Sequence, residues 1–303
     1  MNIKMSYKIE LIEFLENSEK RKNLTNILLE NKSQRRICEE YEIKNILDEL
    51  FLQICNEKPI YQRWKQKIGE KTRILSVPNN HLKQLIDIYL IDFIKSGNLH
   101  KKCHGGEKDW SVKKSLETHL PCITAFSFDL KSAFENFSID YIKNFIYKLI
   151  DKSLFEKERQ EISRFLSILL SVNYKEKRGL PQGSSMSMKI FNRELYFLDE
   201  NLSKKAEEKN FNYSRWVDDI TITSNQNNKI ESFLGSVDLT AKYFPVAEEK
   251  IFFQENSIIY LLGHKIINNK ILKNSKKERD ENKINSLDYN YFFKNNLKNY
   301  EIW

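Results

Sequence analysis

The chain has 303 residues, enough for a two- or three-part enzyme with a substantial core, and a formal net charge of +8 at pH 7. That charge suits a polyanionic partner and says nothing of fold. No apolar run reaches the roughly 18 residues of a membrane span, the N-terminus lacks the apolar stretch of a signal peptide, and the four cysteines (38, 55, 103 and 122) include no CxxC pair, so a membrane protein and a disulfide scaffold are set aside in favour of a cytoplasmic protein with reduced thiols.

Residues 1–58 read as helical and charged. Ile9, Leu11, Ile12 and Leu15 form one short amphipathic face, Leu24, Ile27 and Leu28 a second, and Ile43, Ile46, Leu47, Leu50, Phe51 and Ile54 a third. Lys20, Arg21, Lys22, Lys32, Arg35 and Arg36 cluster between them, either as a solvated face or as a grip on a nucleic-acid backbone. Tyr61–Lys65 and Arg73–Pro78 then read as two strands, with Lys67–Lys71 as the turn. Pro78-Asn79-Asn80-His81 stops the second strand and starts a helix through Leu82, Leu85, Ile86, Tyr89 and Phe93. Cys103, His104, His119 and Cys122 lack the spacing of zinc ligands.

Phe126–Phe134 is a strand-like run with an acid inside it, followed by a helical pattern through Ile139, Ile142, Phe145, Ile146 and Leu149. Asp129 is therefore placed where a strand gives way to a turn and a helix. Phe165, Leu166, Ile168 and Leu169 are expected in the core. Arg178-Gly179-Leu180-Pro181-Gln182-Gly183 follows, a turn whose backbone can approach a ligand closely, and Ser184–Leu198 reads as a helix.

Tyr213–Thr223 reads as a β-hairpin whose tight turn carries Asp218 and Asp219. Adjacent acids repel, and nothing in a strand pattern needs them. A divalent cation removes the objection, because Mg²⁺ selects hard oxygen ligands. An acid ending one strand and acids on a neighbouring hairpin can share two metal ions about 3.5–4 Å apart. Phe244–Lys250 follows, and Ile258–Lys265 reads as a strand interrupted by Gly263.

These three stretches, in this order, resemble reverse transcriptases of the bacterial kind, related to retron, group II intron and phage-defence enzymes, over roughly residues 60–265. Asp129 falls at the family's first catalytic aspartate, Arg178–Ser187 on its LPQG motif and Trp216–Asp219 on its YxDD box. The resemblance implies an α+β right-hand polymerase, an antiparallel sheet backed by helices: an N-terminal helical extension (1–58), fingers (59–120), a palm (121–265) with a fingers-like helical insertion at about 139–178, and a short or reduced thumb (266–303).

The same resemblance implies RNA-directed DNA synthesis with two Mg²⁺ ions, Mn²⁺ being a possible substitute. Asp129, Asp218 and Asp219 with the Leu130 carbonyl would be the metal ligands, and Lys250 the group that protonates pyrophosphate. Lys67 or Lys71 with Arg73, the backbone of Ser132 and Ala133, Phe134 as sugar gate and Gln182 would hold the deoxynucleotide. Trp216, Leu262 and Gly263 would meet the primer, and Arg178, Gly179, Pro181 and Gly183 the template. The partners implied are an RNA template or noncoding RNA, the DNA product, deoxynucleoside triphosphates, and a second copy or another protein in place of a full thumb. The setting implied is antiviral defence. Rival readings are template-independent or protein-primed synthesis on the same palm, and a non-catalytic RNA-binding scaffold. Two departures stand out: Trp216 replaces the usual Tyr, and Leu262-Gly263-His264 does not match the retron VTG.

Overall fold

The computed structural model describes residues 3–30, 37–68, 71–175, 177–226, 244–255 and 258–273. In chain order the elements are helices α1 (Ile3–Glu16), α2 (Ser18–Glu30) and α3 (Ile37–Cys55), strands β1 (Tyr61–Ile68) and β2 (Lys71–Pro78), then α4 (Asn80–Gln84), which runs through a π-helical turn (Leu85–Leu90) into α5 (Ile91–Lys95). After α6 (Val112–Glu117) come β3 (Thr124–Asp129), α7 (Ala133–Asn136), α8 (Ile139–Leu149), α9 (Glu156–Leu169), β4 (Val172–Tyr174), β5 (Lys177–Gly179) and α10 (Ser185–Glu194). The chain then forms α11 (Tyr196–Glu208), β6 (Asn212–Trp216), β7 (Asp219–Ser224), a 3₁₀ turn (Glu248–Lys250), β8 (Phe252–Glu255), β9 (Ile258–Leu261), β10 (His264–Ile267) and β11 (Lys270–Lys273). They assemble into two compact units, residues 1–98 with 134–194, and residues 99–133 with 195–303.

The first unit is helical apart from two hairpins. Of the expected N-terminal faces, Leu11, Leu15, Leu24, Ile27, Leu28, Ile43, Leu47, Leu50 and Ile54 are buried, while Ile9 is exposed. Phe14 of α1 stacks on Phe165 of α9, ring centroids 4.0 Å apart, and Glu10 holds Arg164 in a two-pronged ion pair (2.7 and 3.1 Å). Helix α8 shows why such a segment folds. Ser138 caps it by accepting from the Tyr141 N–H, Asp140 lies in its first turn and Lys148 in its last, and Ile139, Ile142, Phe145 and Ile146 bury one stripe. Asn79 caps α4 in the same way, through the Leu82 N–H.

Two charges of the basic N-terminal cluster are neutralised inside this unit, Lys20 by Glu161 at 3.1 Å and Arg21 by Asp48. Lys32, Arg35 and Arg36 lie outside the described residues. The expected turn at Lys67–Lys71 is also narrower than the pattern suggested. Both strands run on, pairing Lys67 with Thr72 and Ile68 with Lys71.

The second unit is built on an antiparallel four-stranded sheet in the order β6-β7-β3-β8 and an antiparallel β11-β10-β9 meander. Leu116, Ala125, Ile259, Leu261 and Ile266 form a shared core between them. The Ile258–Lys265 run is not one interrupted strand. Leu261 pairs with His264 across a two-residue loop in which Leu262 (φ 47°) and Gly263 (φ 73°) both have positive φ, the signature of a type I′ turn. Asn268 (φ 49°) and Asn269 (φ 60°) repeat it before β11. Strand β10 therefore crosses the 265/266 boundary, and residues 274–303 of the expected thumb lie outside the described residues.

Candidate active site

Strand register builds the site. Asp129 ends β3 and pairs directly with Asp219, the first residue of β7, which in turn pairs with Trp216 at the end of β6. Cross-strand partners share a face of a sheet, so these three side chains form a row across three strands. Asp218 occupies the two-residue turn with Val217. Its carbonyl accepts from the Leu130 N–H at 3.0 Å, locking the turn to the end of β3. The Lys131 N–H reaches the Pro245 carbonyl (2.7 Å) and the Ala247 N–H reaches the Asp129 carbonyl (2.8 Å), which brings in the 3₁₀ turn and Lys250.

Asp129, Asp218 and Asp219 each offer an oxygen within 4.8 Å of the others, and among the described residues they alone form such a metal-capable group. Asp129 is buried, and the other two are half-buried. Burial, then Asp218, then Asp129 push the Asp219 carboxyl up to about 7, opposed by Lys250. Lys250 Nζ donates to Asp129 Oδ2. Three convergent carboxylates with one ammonium leave excess negative charge, and an all-oxygen donor set of this kind fits Mg²⁺ or Mn²⁺.

The turn itself is strained and braced. Val217, a β-branched residue, has φ 59°. Arg215, fully buried, donates from Nη1 to the Val217 carbonyl at 2.7 Å. Its Nε and Nη2 meet the two Asp199 oxygens at 2.8 and 2.7 Å, and Tyr213 donates to Asp199 at 2.6 Å. Cys103 Sγ accepts from the same guanidinium at 3.2 Å. On the other side the backbone of residues 102–105 runs along Arg215, with the His104 N–H on the Arg215 carbonyl at 2.9 Å. A Cβ on Gly105 would lie 2.2 Å from the Val217 nitrogen, so only glycine lets this segment press on the turn.

His104 and His119 belong to this support. His104 stacks on Trp110 (3.5 Å) and meets Ser115 Oγ at 2.8 Å. Both ring nitrogens of His119 are occupied by hydroxyls, Thr223 Oγ1 at 2.8 Å and Ser214 Oγ at 2.7 Å, and burial pushes its imidazole down to about 3. Sequence reasoning missed Asp199, Arg215, Tyr213 and Gly105. The signal was present for Arg215, a lone cation inside a β-branched and aromatic strand, but nothing in the sequence paired it with Asp199.

The remaining expected residues divide between the units. Ser132 (φ 47°) and Ala133 follow β3 in the second unit, and Leu262 and Gly263 form the β9–β10 turn there. In the first unit Gln182 is stitched to β2, its carbonyl accepting from the Ser76 N–H at 2.6 Å, and its own N–H meets Tyr174 Oη at 3.3 Å. Gly179 lies against the chain at Phe134, where a Cβ would come 2.5 Å from the Phe134 carbonyl, while the Pro181 carbonyl accepts from Ser187 Oγ at 2.7 Å. Gly183 sits over Val77. Phe134 is half-buried and stacks on Phe191 at 5.3 Å. Arg73 is exposed and pairs with Gln66, whereas Lys67 pairs with Thr72, so the two cations start from opposite faces of the ribbon. The Lys71 side chain lies outside the described residues. The expected Ser184–Leu198 helix is two helices, broken at Leu195 (φ −77°, ψ 6°).

The family described as "Reverse transcriptase (RNA-dependent DNA polymerase)" matches residues 65–266, two thirds of the chain, and this protein belongs to it. Among solved structures it is similar to apo telomerase from Candida tropicalis truncated from the C-terminal domain, with TM-score 0.51 and 15% identity over 71% of this chain and 55% of that one. Telomerase of the same species with a TWJ fragment of telomeric RNA gives TM-score 0.48 and 16% identity over 80% and 51%. Telomerase from Candida albicans with such a fragment gives 0.44 and 14% over 71% and 46%. The chain thus spans about half the length of these structures, and the likeness to the first is one of fold. No curated protein matches the sequence. Among the described residues no helix is long and apolar enough to cross a membrane.

Proposed function

We propose that this chain is an RNA-directed DNA polymerase that adds deoxynucleotides to a primer 3′-hydroxyl. One observation carries the reading: the close convergence of Asp129, Asp218 and Asp219 at the meeting of β3 with the β6–β7 turn. Asp129, Asp218 and Asp219 would hold two Mg²⁺ ions, which would supply Lewis acidity to the attacking hydroxyl and offset charge on the phosphoryl group.

The chain's own groups do the rest. The primer oxygen forms its bond to the α-phosphorus as the bond to the β-phosphate oxygen breaks, and the hydroxyl proton passes to solvent. Lys250, already directed at Asp129, delivers a proton to the departing pyrophosphate. Trp216, in register with Asp219, offers a flat surface to the primer end, with Leu262 and Gly263 as its further contact. Ser132, whose φ is positive, and Ala133 offer backbone N–H groups to a phosphate of the nucleotide. Phe134, Gln182 and Arg73, with Lys67 or Lys71, bind the incoming nucleotide, and Arg178, Gly179, Pro181 and Gly183 lie along the template. In this reading the first unit contains the fingers, which the grouping of residues 134–194 with 1–98 supports, and the second contains the palm. The biological setting is bacterial defence against phage with a dedicated noncoding RNA; sequencing the nucleic acid that co-purifies tests it.

Primer extension on an RNA template with Mg²⁺ and deoxynucleotides tests the reading, with Asp218→Asn as its control. Template-dependent product from the parent chain, reduced by about 10³-fold or more in the variant, is expected. Extension without template, or from a protein hydroxyl, would replace it with one of the rival polymerase chemistries. An effect on RNA binding alone would leave a scaffold.

A further inference from the structure

His264, the first residue of β10, has no part in the chemistry described so far. Its ring Nδ1 lies 3.0 Å from the carbonyl of Leu262, in the two-residue turn just before it. A carbonyl only accepts, so Nδ1 carries a proton and the ring is tied to the turn. Nε2, on the far side of the ring, has no hydrogen-bond partner among the described residues. The side chain is half-buried.

Register gives the direction of the ring. His264 pairs with Leu261 on one side and Lys273 on the other, so the three share one face of the β9–β11 meander. The next row on that face is Ile259, Ile266 and Ile271. Ile259, Leu261 and Ile266 are the residues that pack with Ala125 of the four-stranded sheet. His264 and Lys273 therefore stand on the sheet-facing side of the meander, in the row nearest the turn. Strand β8 runs away from the acidic end of the sheet, Phe252 pairing with Ser127 and Glu255 with Thr124. Gln254 then holds the backbone N–H and carbonyl of Tyr260 at 2.7 and 2.8 Å, so β9 returns along β8. The Leu262-Gly263 turn and His264 thus come at the end of the sheet that carries Asp129 and Asp219. Lys273 is exposed, with no carboxylate partner among the described residues.

We propose that His264 and Lys273 together hold one phosphodiester of the primer strand near its 3′ end. The inference rests on the polymerase reading, which sets Leu262 and Gly263 against the primer, and adds the side chains and the chemical group they take. The turn itself brings no charge to that strand; the imidazole and the ammonium do. Beside a phosphate, Nε2 takes a proton from solvent and donates a hydrogen bond, while Nδ1 stays on the Leu262 carbonyl. Lys273, opposite on β11, adds a point charge to the same group. Contacts to phosphate fix register without reading sequence. This pair would set the primer end at one distance from the aspartates whatever its bases.

The test measures binding of the full chain to a fluorescent DNA primer on an RNA template in EDTA. Binding is then read apart from catalysis, and a failure of the polymerase reading shows separately, as absent extension with Mg²⁺. Methylphosphonates, which lack the phosphate charge, replace single linkages near the primer 3′ end and, in a second series, those of the template opposite. Asn places its amide donor where Nδ1 stands, and Gln where Nε2 stands. His264→Asn therefore keeps the turn bond and loses the phosphate, and His264→Gln does the reverse. Each variant is checked for folding by circular dichroism. One neutral primer linkage should cost the parent about tenfold in affinity. His264→Asn and Lys273→Met should each lose about as much on the natural primer, and much less again when that linkage is neutral. His264→Gln should stay close to the parent, as should Lys270→Met, an equal loss of charge from the opposite face of β11. Equal losses from the Asn and Gln variants would reduce His264 to a support of the turn and overturn the proposal. So would a methylphosphonate penalty that the variants leave unchanged, or one found in the template strand alone.

Discussion

Arg215 and Asp199 form an ion pair with no solvent exposure on either side chain, and the third nitrogen of the same guanidinium holds the carbonyl of Val217 in the acidic turn. A buried pair of this kind contributes little net stability over an apolar substitute, but breaking it strands a charge. Asp199→Asn is therefore expected to cost about 3–5 kcal/mol in urea unfolding. Arg215→Lys keeps the charge and loses the fork, so it should unfold at lower urea than the parent and release the turn.

The acidic cluster sets the pH dependence of the metal-free protein. Burial and two neighbouring acids raise the Asp219 carboxyl to about 7, well above its unfolded value. The folded state then holds a proton that the unfolded state gives up. Its stabilising effect is complete below about pH 4 and is lost as pH rises through 7. Thermal melts in EDTA should show a lower Tm at pH 8 than at pH 5. Mg²⁺ should restore Tm at pH 8 and do much less at pH 5, and Asp218→Asn should flatten the EDTA profile.

Gly105→Ala tests the brace behind the turn. A methyl there meets the Val217 nitrogen at 2.2 Å and the Trp216 carbonyl carbon at 2.7 Å, both backbone atoms that must move. A displacement of about 1 Å in a catalytic group lowers rate by about a hundredfold. Steady-state primer extension should show that loss in kcat, with far-UV circular dichroism unchanged.

Phe134→Ala separates a sugar gate from a packing residue. The ring is half-buried against Phe191. As a gate it excludes a 2′-hydroxyl by collision, so its removal should raise the ratio of ribonucleotide to deoxynucleotide kcat/KM by about tenfold or more. A fall in Tm with an unchanged ratio would make it packing alone.

Lys250→Met should lower kcat by about a hundredfold with little change in KM for the nucleotide, because general acid catalysis is lost. Asp129 also loses its ammonium partner, so the metal-free protein should melt at lower temperature at pH 8.

The sequence pattern puts Asp129 at the end of a strand and both adjacent acids in a hairpin turn; the structure keeps Asp218 in the turn and makes Asp219 the first residue of β7. Local pattern also located α4, α8 and the β1–β2 hairpin, because caps, periodicity and strand composition act over a few residues. It failed where the deciding contact lay far along the chain. The β9–β10 turn was read as a strand defect because a type I′ turn needs only two residues and Leu262 is a poor signal for positive φ. Which faces Lys67 and Arg73 take follows from the β1–β2 register, which pairs Lys67 with Thr72 and Arg73 with Gln66, and no local pattern gives that register.

What the sequence determined by itself was the chemistry on offer: the carboxylates, their order, and the family they belong to. Tertiary structure alone decided their geometry. Asp129 meets Asp219 because β3 lies between β7 and β8 in one register, and a slip of one residue would turn one of the two acids to the opposite face of the sheet. The acidic turn keeps its strained backbone because Arg215, Asp199 and Gly105, from three separate segments, close around it, and contacts between segments so far apart have no local signature.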